Sequence, residues 1–317
     1  MNFYASSQYL DVLAEVYFSG RRTRVVDVRI GDDVLRLLEV DRKQVITSAQ
    51  FLDYHEPLRP EETRAPPRDF AFADAVSRRV IELAQWDPAA FPRLELAPYV
   101  DWSMFPTYED YKTYLVTRQR GIVRDRERRG RRLAETVGEL VFTMDDTQDD
   151  VVELAMRWKS AQLRETGQRD YCADPKTAAF FAMLRQRGLL TSSTLRASGR
   201  LLSAWLGFVH EGVWSGWIFT YDPELSKYSA GHQLLSAMLE ESHRRKHLQF
   251  DFSIGPESYK MLYATHGRLL GPIGRTPVFQ QVYSRMIIEA GKRTPSLLAR
   301  ARTLKRAVRT QTSRMFN

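Results

Sequence analysis

The sequence predicts an α+β protein with a mixed, mostly antiparallel sheet. Three observations carry this. From residue 138 the hydrophobic pattern runs strand, two helices, three strands, helix, strand, helix. The three central strands are separated only by the dipeptides Ser198-Gly199 and Glu211-Gly212, which fit two-residue hairpins. One helix lies between the last two long strands, and so can serve as a crossover.

The elements follow in order. SSQYLDVLAEVYF (6–18) has apolar residues near helical spacing, and RTRVVDVRIG and DVLRLLEV read as two strands about a turn at Gly31-Asp32-Asp33. HEPLRPEETRAPPRDF holds four prolines and many charges and is expected to be a loop. FADAVSRRVIELAQW (72–86) reads as an amphipathic helix, and FPRLELAPYVDWSMFP as a short strand with an irregular exit. A long basic helix starts at Thr107, whose spacing to Asp110 suits a capping box, and a break is expected near Gly130. GELVFTM is a strand. The next helix starts at Thr147 or Asp149, and a second one stops at Gly188. LLTSSTLRA, RLLSAWLGFVH and VWSGWIFTYD form the hairpins. In HLQFDFSIG, Leu248, Phe250 and Phe252 should share one face, with Gln249 and Asp251 on the other.

Composition narrows the class. The chain has 317 residues, room for two domains or one large one. The single Cys172 excludes an internal disulfide framework, and the N-terminus has no signal-peptide pattern. No stretch reaches the ~20 apolar residues of a membrane span. A soluble, cytoplasmic protein is expected. The net charge of +8 is concentrated in two segments. Arg118–Arg132 carries eight arginines and two acids, and the stretch from Lys292 carries eight basic residues and no acid. The rest of the chain therefore sums to −6.

The stretch KYSAGHQLL (227–235) sets a Ser-Ala-Gly turn between a strand and a helix. A helix start presents unpaired N–H groups and partial positive charge, which suit a phosphate. Gly231 would let a ligand approach the backbone. The alternative is an ordinary helix start with Ser229 as its cap.

In context, three antiparallel strands, this turn, a helix and a strand bearing an acid resemble the Gcn5-related N-acetyltransferase (GNAT) fold. Residues 221–260, YDPELSKYSAGHQLLSAMLEESHRRKHLQFDFSIGPESYK, resemble the signature of CelD-like (cellulose-biosynthesis-associated) acetyltransferases. That family has a Tyr-Ser-Pro-Gly-type turn before a helix, then Asp-Phe-x-x-Gly-x-x-x-Tyr-Lys. Here Ala230 replaces the Pro, and the turn has a single glycine. The likeness covers about 105–270 well and the first hundred residues weakly. It implies a tandem, double acetyltransferase fold: a degenerate GNAT-like half at 1–104, an acyltransferase domain at 105–285, and a basic amphipathic tail at 286–317. The related FemABX-like peptidyltransferases share the double fold and use aminoacyl-tRNA as donor.

The resemblance implies site residues. Lys227, Ser229, Ala230, Gly231 and His232 would hold the phosphates of acyl-CoA, in the first instance acetyl-CoA. Asp251 would accept a proton from, or orient, the acceptor amine, and Tyr228 would protonate the leaving thiolate. Tyr221, Tyr259, Lys260, Trp158 and Trp205 would line the substrate groove. Each has a plainer alternative: packing for the aromatics, a backbone-bonded acid for Asp251, a solvated ammonium for Lys260. Cys172 has no histidine beside it in sequence, which disfavours nucleophilic catalysis. His243 and His247 have ligand spacing but no carboxylate, so no metal site is expected.

The expected activity is acyl transfer to a small-molecule amine, such as an amino sugar of polysaccharide or envelope synthesis. One alternative is FemABX-like aminoacyl transfer from tRNA. Another is a catalytically silent binding member of a polysaccharide-synthesis complex. Residues 292–314 carry a thin apolar stripe (Leu297, Ala301, Leu304, Val308) among basic residues, which suits peripheral contact with the inner membrane face or a protein partner.

Overall fold

The computed structural model describes residues 2–64 and 66–275. The basic tail expected at 286–317 lies outside them. The chain forms two compact units. Among the described residues, one comprises those up to Pro98, Ile254–Pro256 and 265–275, and the other Tyr99–Ser253 and Glu257–Ala264.

The first unit begins with helix α1 (Ser7–Tyr17), capped by Ser6, whose Oγ accepts from the Tyr9 amide at 3.3 Å. Strands β1 (Thr23–Ile30) and β2 (Asp33–Val40) form the expected hairpin, extended by β3 (Gln44–Ile46) and by the two-residue β4 (Arg68–Asp69) from the proline-rich loop. The segment 72–86 departs from its helical expectation: Phe72–Glu82 is a strand, β5. Strand β6 (Glu95–Asp101) passes from the first unit into the second.

The second unit contains the site. Helix α2 (Tyr108–Val137) starts in the expected capping box, with Thr107 Oγ1 and Asp110 serving each other's backbone. Its one non-helical residue is Gln119 (φ −148°, ψ 47°) and not Gly130, which stays helical under the Gln233 side chain. Then come β7 (Val141–Thr143), α3 (Asp150–Glu165), α4 (Pro175–Gln186), β8 (Thr191–Ala197), β9 (Arg200–His210), β10 (Val213–Tyr221), α5 (Ala230–Arg244), β11 (Gln249–Asp251) and α6 (Ser258–Tyr263). Asp149 precedes α3 without a side-chain capping bond. The start of α3 is tied to β8 through Arg196, which pairs with Asp146 at 2.7 Å and Asp150 at 2.6 Å. Both hairpin dipeptides adopt positive φ at both residues, as the tight turns require (Ser198 49°, Gly199 80°; Glu211 45°, Gly212 78°). Gly188 closes α4 at φ 65°.

The strand order in this unit is β6-β11-β10-β9-β8-β7, antiparallel throughout except for β10 beside β11. The chain then returns to the first unit as β12 (His266–Gly274), which pairs antiparallel with β5 from His266↔Glu82 to Gly274↔Phe72. That pairing explains the misread helix: the apolar residues of 72–82 are selected by a partner strand almost 200 residues away. No helix among the described residues is long and apolar enough to cross a membrane.

Candidate active site

Strands β10 and β11 are parallel but paired at only two positions, Val213↔Gln249 and Trp214↔Phe250. β10 runs on to Tyr221 while β11 ends at Asp251, so the two strands part. β10 also carries a bulge: Gly216 pairs with Gly207 and Ile218 with Leu206, leaving Trp217 as the extra residue. Trp217 packs on Phe208, Phe180 and Phe181. Phe219, two residues on, meets Trp205 at 5.6 Å and Tyr259 at 5.2 Å, so the bulge has reset the alternation of faces. Trp205 is 2% exposed, and its indole fills the space above Gly207 and Gly216.

Beyond Tyr221 the chain makes a short 3-10 turn, Pro223–Tyr228, begun by Asp222, whose carboxylate accepts from the Glu224 amide at 3.0 Å and pairs with Arg200. Ser229 then adopts the left-handed conformation (φ 59°, ψ 41°), and α5 begins. Its carbonyl takes the amides of His232 (2.9 Å) and Gln233 (3.3 Å), and its hydroxyl makes no capping bond. The amides of Ala230 and Gly231 precede any acceptor within the helix. Gly231 has a packing role that the sequence reading missed. A Cβ there would stand 3.1 Å from Phe219 Cζ and 3.2 Å from Tyr221 Cδ1, so the missing side chain lets α5 close onto β10.

Positive charge gathers around this helix start. Arg129 of α2 donates to the Lys227 carbonyl at 3.2 Å. The Lys227 ammonium lies 4.9 Å from the centre of the Tyr228 ring. Thr136 Oγ1 donates to Tyr228 Oη at 3.3 Å; this bond, and then Lys227, holds the phenol below its ordinary pKa. Gln233 donates to the Arg126 carbonyl at 2.9 Å, and the Arg126 Nε is buried without a partner among the described residues. His232 rests with Nδ1 3.2 Å from Tyr263 Oη. Burial first, then Arg126 and Arg129, push its pKa down to about 3, so the imidazole is neutral at physiological pH.

The second group of expected residues lies after β11. Asp251 is 1% exposed, and its Oδ1 accepts from the Ser253 amide at 2.7 Å. It is a buried acid at the point where the strands part. Phe252 and Phe250 are buried, but Leu248 is 65% exposed and does not share their environment. On α6, Lys260 is buried and pairs with Glu257 at 2.9 Å. Phe219 touches both Tyr259 and the Gly231 position, and so links the two groups; Tyr221 borders Gly231 and is 37% exposed. Trp158 is half-buried on α3. Its neighbour Lys159 was not among the expected site residues. That ammonium donates to Gln162 Oε1 at 3.0 Å and lies within electrostatic reach of Cys172, Lys260 and Glu257. These charged neighbours lie well away from it in sequence, so spacing gave no signal for it. Burial pushes the Cys172 thiol up to about 12, leaving it a poor nucleophile. His243 faces the Phe105 carbonyl (3.0 Å) and His247 the Ser242 hydroxyl (3.1 Å).

Residues 122–261 match the family model described as an acetyltransferase (GNAT) domain. The comparison with curated proteins finds no match. Among solved structures the chain is similar to FemX, with 11% identity and a TM-score of 0.51 over 90% of this chain and 94% of that one. A structure named L-PGS from Bacillus licheniformis is 11% identical (TM-score 0.44, covering 88% and 91%). A tandem GNAT protein from the clavulanic acid biosynthesis pathway is 14% identical (TM-score 0.37, covering 85% and 94%). The mixed α+β topology and the family match at 122–261 agree: this chain carries a GNAT-type acyltransferase domain.

Proposed function

We propose that the protein transfers an acyl group from acyl-CoA, in the first instance acetyl-CoA, to the amine of a small acceptor such as an amino sugar of polysaccharide or envelope synthesis, as in the CelD-like acetyltransferases it resembles. One observation carries the reading: α5 follows, after one 3-10 turn, a bulged strand that has parted from its parallel neighbour, with Arg126, Arg129 and Lys227 around the helix start. Amides and cations so placed suit a pyrophosphate. In this reading the turn from Lys227 to His232 holds the nucleotide end of the donor, with His232 as a neutral hydrogen-bonding group. Asp251 orients the acceptor ammonium and takes its proton. The amine attacks the thioester carbonyl, the C–S bond breaks, and Tyr228, with its lowered phenol pKa, supplies the proton to the departing thiolate and is restored by the second proton that the new amide nitrogen sheds. Tyr221, Tyr259, Lys260, Trp158 and Trp205 shape or support the acceptor side. We take residues 1–104 as the degenerate first half of a tandem fold.

Calorimetric titration with acetyl-CoA and one longer acyl-CoA tests this. Saturable binding near one site per chain is expected; no binding of either at millimolar ligand refutes the acyl-CoA donor. A second reading, aminoacyl transfer from tRNA, is favoured by the fold likeness to FemX and by the eight arginines of 118–132. It predicts that charged tRNA competes with, or replaces, acyl-CoA.

A further inference from the structure

A buried hydroxyl stands where β10 and β11 part. Ser215 of β10 is 1% exposed, and its Oγ has no hydrogen-bond partner among the described residues. A polar group buried in that state costs stability, and alanine at the same position would avoid the cost. The resting fold gives no reason for a serine here.

The register of the strands supplies one. Trp214 and Phe250 are partners on β10 and β11, and their rings lie 5.5 Å apart on one face of the sheet. The next residues along the two strands are Ser215 and Asp251, and alternation turns both to the opposite face. The same row continues outward, with Phe208 of β9 opposite Ser215 and Tyr99 of β6 opposite Asp251. Neighbouring strands stand about 4.8 Å apart, so hydroxyl and carboxylate are near neighbours. They do not bond each other: Asp251 Oδ1 takes the Ser253 amide at 2.7 Å, and Ser215 Oγ takes nothing. The backbone at this point is locked to β9. Trp205 Nε1 donates to the Ser215 carbonyl at 3.4 Å, and any side chain at Gly207 would collide with that oxygen. A group entering between the parting strands would meet the hydroxyl and the carboxylate together.

We propose that Ser215 donates a hydrogen bond to the carbonyl oxygen of the acyl donor. This rests on the acyl-CoA reading and adds to it the side chain that polarises the thioester. With the acceptor amine on Asp251, the carbonyl carbon lies beside it and its oxygen turns to Ser215 Oγ. As the amine attacks, the electron pair of the C=O double bond moves onto that oxygen, and the bond from Ser215 strengthens with the growing charge. The pair returns when the C–S bond breaks. Ser215 keeps its proton throughout and forms no covalent bond.

The test compares acetyl-CoA with S-ethyl-CoA, a thioether of the same length that lacks the carbonyl oxygen. Both, and CoA itself, are titrated calorimetrically into the full chain. Wild type is expected to bind acetyl-CoA at least ~5-fold tighter than S-ethyl-CoA, and Ser215→Ala should bring the two within about two-fold while leaving CoA affinity unchanged. Because it removes an unpaired buried hydroxyl, Ser215→Ala should melt no lower than wild type. Equal binding of the two ligands by wild type, a preference that survives in Ser215→Ala, or a clearly lower melting temperature for that variant overturns the assignment. Failure of CoA itself to bind wild type would instead remove the acyl-CoA reading, and the assignment with it.

Discussion

Replacing Gly231 by valine separates packing from ligand binding at the start of α5. The added Cβ would meet Phe219 Cζ at 3.1 Å and Tyr221 Cδ1 at 3.2 Å, both closer than ordinary contact. Tyr221 is partly exposed and can turn away, but Phe219 is held between Trp205 and Tyr259. Valine's two further methyls add to this overlap, and overpacking of this kind costs about 1–3 kcal/mol. At roughly 2–4 °C per kcal/mol for a domain of 150–250 residues, Gly231→Val should lower the melting temperature by about 2–12 °C. Gly231→Ala adds one methyl and gains up to about 1 kcal/mol in helix propensity, so it should stay within about 1 kcal/mol of the wild type. Displacing the helix start should also weaken acetyl-CoA about ten-fold in the valine variant, or about 1.4 kcal/mol. Thermal melts with calorimetry on both variants decide. A valine variant as stable as wild type, or an alanine variant as damaged as valine, would refute the packing argument.

Other perturbations follow the same geometry. Arg129→Gln removes a cation beside the proposed phosphate seat, and the loss of one charge-assisted contact to phosphate, about 1.5–3 kcal/mol, predicts acetyl-CoA affinity at least ~10-fold weaker, most clearly at low salt. Asp251→Asn should reduce turnover by about 10²-fold or more and leave donor affinity near wild type; wild-type turnover would remove Asp251 from the chemistry. His232 predicts a pH effect on stability. Its folded pKa, about 3, lies below its ordinary 6.5, so between those values the unfolded chain binds a proton that the folded chain refuses. Its contribution is therefore lost as pH falls through that window, by up to about 1.4 kcal/mol per unit. Denaturant unfolding at pH 7 and pH 5 should show a larger loss for wild type than for His232→Gln; equal losses would contradict the neutral, buried assignment.

The local chemistry of the second unit could be read from the sequence because short-range rules decide it. Ser198-Gly199 and Glu211-Gly212 fix two hairpins by their need for positive φ, and Thr107 with Asp110 fixes the start of α2. What failed depended on distant partners. Residues 72–82 have helical spacing but are ordered by β12. The break in α2 falls at Gln119, while Gly130 stays helical beside Gln233 of another helix. At the candidate site, the turn 227–232 could be read as a helix start. However, the reason for Gly231 lies in ring positions on β10, which spacing along the chain does not reveal.

The weaving of the chain limits how this protein can be divided. The segment matched by the family model begins at residue 122, yet the strand beside β11 is supplied by Tyr99, Val100 and Asp101. A fragment cut to that segment would expose one edge of β11 and leave Asp251 without its antiparallel neighbour Tyr99. Because residues 254–256 and 265–275 belong to the first unit, no single cut in the chain separates the two units intact. Gene fusion, splitting or shuffling at one point would therefore inherit an incomplete catalytic body, so new specificities are more readily reached by changing side chains within the whole chain than by exchanging modules.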